Sequence, residues 1–567
     1  MSLRHSRRNP IVPFPMTAAS SSFKLLWPAV ALVVVGLALG LGAWMLPVNL
    51  NALPPALVTA AGERTAGTAE LGEVLLEREK LGPAALVYQA AVAVEAPGAA
   101  ALGTRLATAA ELQPELVPWG GWDPFLEPLV ALAPAATDST PVLTFFVARD
   151  ARTSLAGFLS NSRSAGVRAL LRLREIDRAV QFVPATRPGG QVLDATVLLA
   201  ALLYQGEHLS DSLQREVRGL AEEAMAANDL AGIEPFLLDL LSLGKRLDWT
   251  QLTELTRLVD STETVAEFAH LSRLAADDLA IIYAAALTAD SADSVANYLI
   301  RYGRQGLADL QFALQTGQGA VKQLLIRQVP INREGGPTLG AMAAVALLHP
   351  GILLGCKYLG LLVGAFIVFR GVDRFFLART SAGALPHLSS GVLAILAAAL
   401  VVLATEPFLL QAAPASEFRI SFAVPVLADI TDGSSAEPTQ PSSAMDSSTL
   451  LSIGFFAALQ VAMYIICLMK ISEINRRTVP SLVKLKLMEN EENLFDGGLY
   501  VGIGGTATAL VLQVLGLIDP NLLAAYSSNL FGITCVALVK IRHVRPYKCK
   551  LILESEELLT RADIKSI

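Results

Sequence analysis

The chain has 567 residues, of which 53% are hydrophobic and 17% charged, with a net charge of -7. This balance is too apolar for an ordinary soluble protein, and it excludes a disordered or nucleic-acid-coating chain. The four cysteines imply no disulfide framework, and the six histidines fall without the spacing of a zinc site, so neither metal nor cofactor is expected.

In chain order, residues 1–24 form a basic N-terminus with Arg4, Arg7, Arg8 and Lys24, and no acidic residue occurs before position 28. Residues 25–46 are an apolar block long enough to span a bilayer, with Trp27 and Trp44 near its ends. The block exceeds the apolar core of a cleaved signal peptide, so an uncleaved signal anchor is expected.

The segment 47–337 then reads as a large domain outside the membrane. Its 34 acidic residues outnumber 23 basic ones between positions 50 and 337, which argues against nucleic acid as a partner. Amphipathic patterns predict helices over 213–225, 233–243, 265–274, 279–287, 294–302 and 320–326. Thr264 with Glu267 has the form of a capping box, and Ser291 precedes another helix start. Short helices in succession predict an α-solenoid or compact helical array, although no strict repeat period is present. Arg163, Arg168, Arg172, Arg174 and Arg178 read as a solvated helix face, and Trp119-Gly-Gly-Trp122 as a corner with buried rings.

Residues 338–412 predict two crossings, about 351–369 and 388–410, with 339–348 as an outside or interfacial extension broken at His349-Pro350. Lys357 falls in the outer half of the first. Snorkelling of its ammonium toward the nearer surface is the milder expectation, and an inward Lys357 would need a partner. Glu406-Pro407 and His349 are the other ionisable groups near membrane depth. Residues 413–446 predict an external linker, in which 417–430 alternates like a strand.

The last unit, 447–550, predicts crossings over about 450–469, 499–518 and 522–539, turning at Asp519-Pro520, before a cytoplasmic tail at 551–567. Clusters of Lys and Arg fall on alternate loops, which predicts both termini on the cytoplasmic side of the membrane. The expected fold is therefore all-α: a polytopic membrane protein with about six transmembrane helices and a large extracytoplasmic, solenoid-like helical domain. No catalytic motif occurs, and no enzyme is expected.

In the final pair of crossings, Gly502, Gly504, Gly505 and Gly532 are read as helix-packing residues. Thr506, Thr508, Ser528 and Asn529 are the polar residues of this pair, and Asn529 should face another helix or water, because its amide cannot be satisfied by one helix in hydrocarbon. Gly502-Ile-Gly-Gly-Thr506-Ala507 resembles a signature of the MotA/TolQ/ExbB ion-channel family, and Ser528-Asn529-Leu-Phe-Gly532 resembles that family's motif in its last membrane helix. The resemblance implies a homo-oligomeric ring that couples ion flow to movement of a single-span, aspartate-bearing partner of the ExbD/TolR/MotB kind. It implies a conduit lined by Thr506 and Asn529, with Ser528 adjacent, so that Thr506, Thr508, Ser528 and Asn529 are the pore-lining candidates in a bacterial inner membrane. The alternative expectation is a non-conducting scaffold whose outer domain binds envelope proteins.

Overall fold

The computed structural model describes residues 19–130, 139–333, 337–377, 385–409, 416, 418, 447–514 and 522–566. Six helices carry the predicted crossings and are labelled in chain order: α1 Ala19–Trp44, α2 Pro350–Leu377, α3 Leu385–Thr405, α4 Ser447–Arg476, α5 Gly497–Val514 and α6 Leu522–Leu538. Among the described residues the protein is helical throughout, apart from one isolated bridge between Leu53 and Ile331.

Among the described residues, three segments are long and apolar enough to cross a membrane: Trp27–Trp44, Pro350–Val372 and Gly454–Arg476. The expectation of six is thus met by three. The crossings expected at about 388–410 and 499–518 run past the described residues, and α6 continues directly into the helical segment Val539–Val544. The break at His349 is as expected, since a short helix, Ala343–Leu348, ends there and α2 begins at Pro350.

Between α1 and α2 lies the helical domain. Predicted helices emerge as Asp211–Ala227, Glu234–Gly244, Thr262–Leu274, Leu279–Ala289, Ala292–Thr316 and Gln318–Arg327. Ser291 caps Ala292–Thr316 by accepting the Ser294 N–H. That helix kinks at Gly303, whose φ of +56° suits a residue without Cβ. The expected capping box at Thr264 is displaced: the cap is Ser261, which accepts the Thr264 N–H, because the helix starts one turn earlier.

The central helix Gln191–Gln205 is buried on nearly all sides. At 15 residues it rises only about 22 Å, so its apolar run serves the domain core and does not span a bilayer. The first helices pack on the last: Thr68 donates to Leu314 O, and Gly62 lies directly against Thr316. An array closed in this way lacks the open stacking of a solenoid, in which each repeat meets only its neighbours. The solenoid-like expectation is therefore not carried by the arrangement. Of the arginine row, four side chains are solvated and Arg174 bonds Asp194. Trp119 is buried, whereas Trp122 is substantially exposed. The strand-like stretch 417–430 and Asp519-Pro520 lie outside the described residues, Phe418 excepted.

Candidate functional site

The site that stands out is a buried ion pair where the helical domain meets the apolar helices α1, α2 and α3. Pro407 disfavours helix at the preceding residue, so α3 stops at Thr405 and leaves Glu406 at its end. Beyond the end of α1, Pro47 turns the chain out of the helix and frees the peptide groups of residues 48–50. Lys357, seven residues into α2, projects between these two ends.

The geometry leaves no polar valence open on the ammonium. Lys357 Nζ donates to Val48 O at 2.6 Å, Asn49 Oδ1 at 2.8 Å and Glu406 Oε1 at 2.8 Å. The Glu406 carboxylate also accepts the Leu50 N–H at 3.0 Å and the Tyr358 hydroxyl at 2.9 Å. Lys357 is 3% exposed and Glu406 2%. A charge this deeply buried is tolerable only when paired and fully hydrogen-bonded. The snorkelling expectation for Lys357 is accordingly corrected. Its ammonium turns inward because Glu406, the Val48 carbonyl and the Asn49 side-chain amide replace the water it would otherwise seek.

Just beyond the pair, the ends of the domain are stitched together. Leu53 N donates to Pro330 O at 2.8 Å, and Asn332 N donates to Leu53 O at 2.9 Å. Asn332 Nδ2 reaches Thr405 O at 3.3 Å. Asp309 accepts the Ile331 N–H at 2.9 Å and the Tyr298 hydroxyl at 3.0 Å. Burial pushes the Asp309 carboxyl up to about 6, against the opposing pull of those donors. The ion pair thus lies beneath the seam that closes the domain.

Below it, α1 and α2 run antiparallel through facing glycines, a feature the sequence reading passed over. A Cβ on Gly364 would sit 2.8 Å from Gly40 N and 2.9 Å from Gly36 O, and one on Gly360 would sit 2.7 Å from Ala43 Cβ. The signal was present as Gly36-x-x-x-Gly40 and Gly360-x-x-x-Gly364, the small-residue spacing that lets membrane helices approach closely.

The predicted residues of the C-terminal unit do come together in part. Gly502 packs against Ser528 and Gly532 of α6, and Gly505 against Ser528 and Phe456. Ser528 is fully buried and donates to Gly502 O at 3.3 Å. Thr506 is half-buried and bonds back to Gly502 O at 3.0 Å. Thr508 and Gly504 lie on the exposed face of α5, and Thr508 bonds back to Gly504 O. Asn529 is half-buried, and its Oδ1 is enclosed without a hydrogen-bond partner. Gln460 of α4, which the sequence reading missed, donates to Gly498 O at 3.1 Å while its Oε1 also lacks a partner.

A second buried acid belongs to the domain proper. Asp248 accepts the Gln251 N–H at 2.8 Å and the Thr250 hydroxyl at 3.1 Å, and Thr250 also donates to Gly120 O. Its carboxylate fills the space left by Gly82 and Gly120, where any Cβ would collide with it. Burial drives this carboxyl up to about 7, despite those donors.

Comparison with protein-family models, curated proteins and solved structures finds no match for this chain. The functional reading accordingly rests on the chemistry above.

Proposed function

We propose that the protein is a multi-pass scaffold of a bacterial inner membrane, whose outer helical domain presents a fixed surface to other envelope proteins. The Lys357–Glu406 pair carries this reading. A domain on a loose tether has no use for two charges buried at its base, because each costs several kcal/mol to desolvate. A domain that must keep its orientation to the membrane does, since the pair joins α2, α3 and the chain leaving α1 at one point.

A second reading, an ion-coupled subunit of the MotA/TolQ/ExbB kind with an aspartate-bearing partner, is favoured by one observation. The buried oxygens of Gln460 and Asn529 both lack hydrogen-bond partners in the C-terminal helices. An unsatisfied buried acceptor costs about 1 to 3 kcal/mol, which water or a partner chain would relieve.

Ion flux and partner capture separate the two. Full-length protein in proteoliposomes, wild type and the double variant Gln460→Leu/Asn529→Leu, is assayed for proton and sodium flux. In parallel, partners are cross-linked in native membranes. The scaffold reading expects no flux and the same partners from both chains, with partners lost from Glu406→Leu. Flux that disappears in the double variant would overturn it in favour of ion coupling.

A further inference from the structure

The glycine seam between α1 and α2 leaves a trough where side chains are missing. This groove, about 500 Å³, is walled by Gly40 and Leu41 of α1, Leu361, Gly364 and Val368 of α2, and Ala398 of α3. From Leu361 to Phe369 it follows nine residues of helix, a rise of about 12 Å, close to the roughly 15 Å of one leaflet's hydrocarbon. Its walls are apolar almost throughout.

At one end the groove changes character. Trp44 and Thr405 line it there, and the same two residues line a second cavity of about 210 Å³ that contains Asn49, Asn332, Thr338 and Lys357. An apolar trough inside the spanning segments therefore opens into a polar chamber at the level of the ion pair. Within that chamber the polar atoms are not equivalent. All three hydrogens of Lys357 are committed to Val48, Asn49 and Glu406, so it has none left for a ligand. Asn332 is 1% exposed, its amide nitrogen is held by Thr405 O, and its Oδ1 has no partner. Asn332 Oδ1 is thus a buried acceptor at the chamber that no side chain or peptide group among the described residues supplies with a hydrogen.

We propose that the two cavities form one binding site for a glycerolipid of the surrounding bilayer. One acyl chain lies in the groove, and a head group bearing N–H or O–H donates to Asn332 Oδ1. Lysine would ordinarily draw a lipid phosphate, but here its hydrogen bonds are spent, and the head group is selected by the donor it brings. A buried acceptor left unpaired loses at least about fivefold in affinity relative to a paired one. The site lies away from Gln460 and Asn529 and depends on neither reading of function.

The test uses the full chain in nanodiscs containing equal parts of ethanolamine-headed and choline-headed phospholipid with identical acyl chains. Lipid retained after extraction into detergent is counted by native mass spectrometry. The expected result is one retained lipid per chain, ethanolamine-headed over choline-headed by about fivefold or more, because the methylated head has no N–H. Ala398→Trp and Val401→Trp, which fill the groove from α3, should each abolish retention, with folding checked by circular dichroism. Asn332→Leu should retain lipid and lose the preference. Equal retention of the two head groups by wild type would overturn the head-group assignment, whatever the variants do. Retention unchanged in both tryptophan variants, or a lipid-free dimer buried through this face, would overturn the site.

Discussion

Replacing Lys357 by methionine keeps most of the side-chain volume and removes the charge. Glu406 would then keep only the Leu50 N–H and the Tyr358 hydroxyl while remaining 2% exposed. Stranding one member of a buried, hydrogen-bonded pair costs about 3 to 5 kcal/mol, against the 0 to 1 kcal/mol of a surface pair. Glu406→Gln strands Lys357 in the same way but leaves acceptors at Val48 O and Asn49 Oδ1, so its cost should lie at the lower end. In the double variant neither charge remains to be desolvated, and its loss should fall short of the sum of the two single losses by about 2 to 3 kcal/mol. Trp119 and Trp249, both buried in the domain, report its unfolding by fluorescence in detergent micelles. For a domain of this size each single variant should lower the melting temperature by roughly 5 to 15 °C. Single losses under about 1 kcal/mol, or strict additivity, would mean that water screens the pair, and the clamp argument would fail.

Two further outcomes follow from the domain and from the helix seam. Because the Asp248 carboxyl is raised to about 7 by burial, the folded domain holds a proton that the unfolded chain has already released above about pH 4. Its contribution to stability is fully present below pH 4, is lost progressively as pH rises to 7, and amounts to on the order of 4 kcal/mol. The difference between wild type and Asp248→Asn in melts from pH 4 to 8 should follow that slope, and parallel curves would refute the assignment. In α2, Gly364→Ala forces a methyl against the backbone of Gly36 and Gly40 and should cost about 1 to 3 kcal/mol, whereas Gly355→Ala meets nothing within 4 Å and should be silent. Equal thermal stability of the two variants would show that the seam can open without loss.

Much of the helical domain was legible because its signals are local. Ser291 caps the helix that its position announced, and the 3.6-residue pattern placed Leu279–Ala289 to within two residues. Ser261 was missed because Thr264 and Glu267 also satisfy the capping-box spacing, and only the backbone turn at Ser261 separates the two. Closure of the array was not legible either, since Thr68 and Leu314 are 246 residues apart and nothing local links them. The candidate site divides along the same line. Lys357 and Glu406 each stand out as charges in apolar surroundings, but their pairing spans 49 residues and depends on where α3 ends. Gln460 escaped notice because one amide in a long apolar helix gives no sign of which neighbour it faces.

The ion pair and the glycine seam are parts of one device, and the spacing along α2 explains why. Lys357, Gly360 and Gly364 stand at i, i+3 and i+7, which places them on one face of the helix, toward α1. The glycines set how near the two backbones come, and that distance fixes where Val48 O and Asn49 lie relative to the ammonium. Hydrogen bonds at 2.6 and 2.8 Å tolerate a shift of only a few tenths of an ångström before they weaken, whereas a methyl on Gly364 would push the helices apart by more than that. Close helix packing is therefore the condition under which Lys357 can be buried at all. Loosening the seam exposes the pair to water and returns it to the low energy of a surface contact, so burial of the charge depends on Gly360 and Gly364, about one and two turns below it.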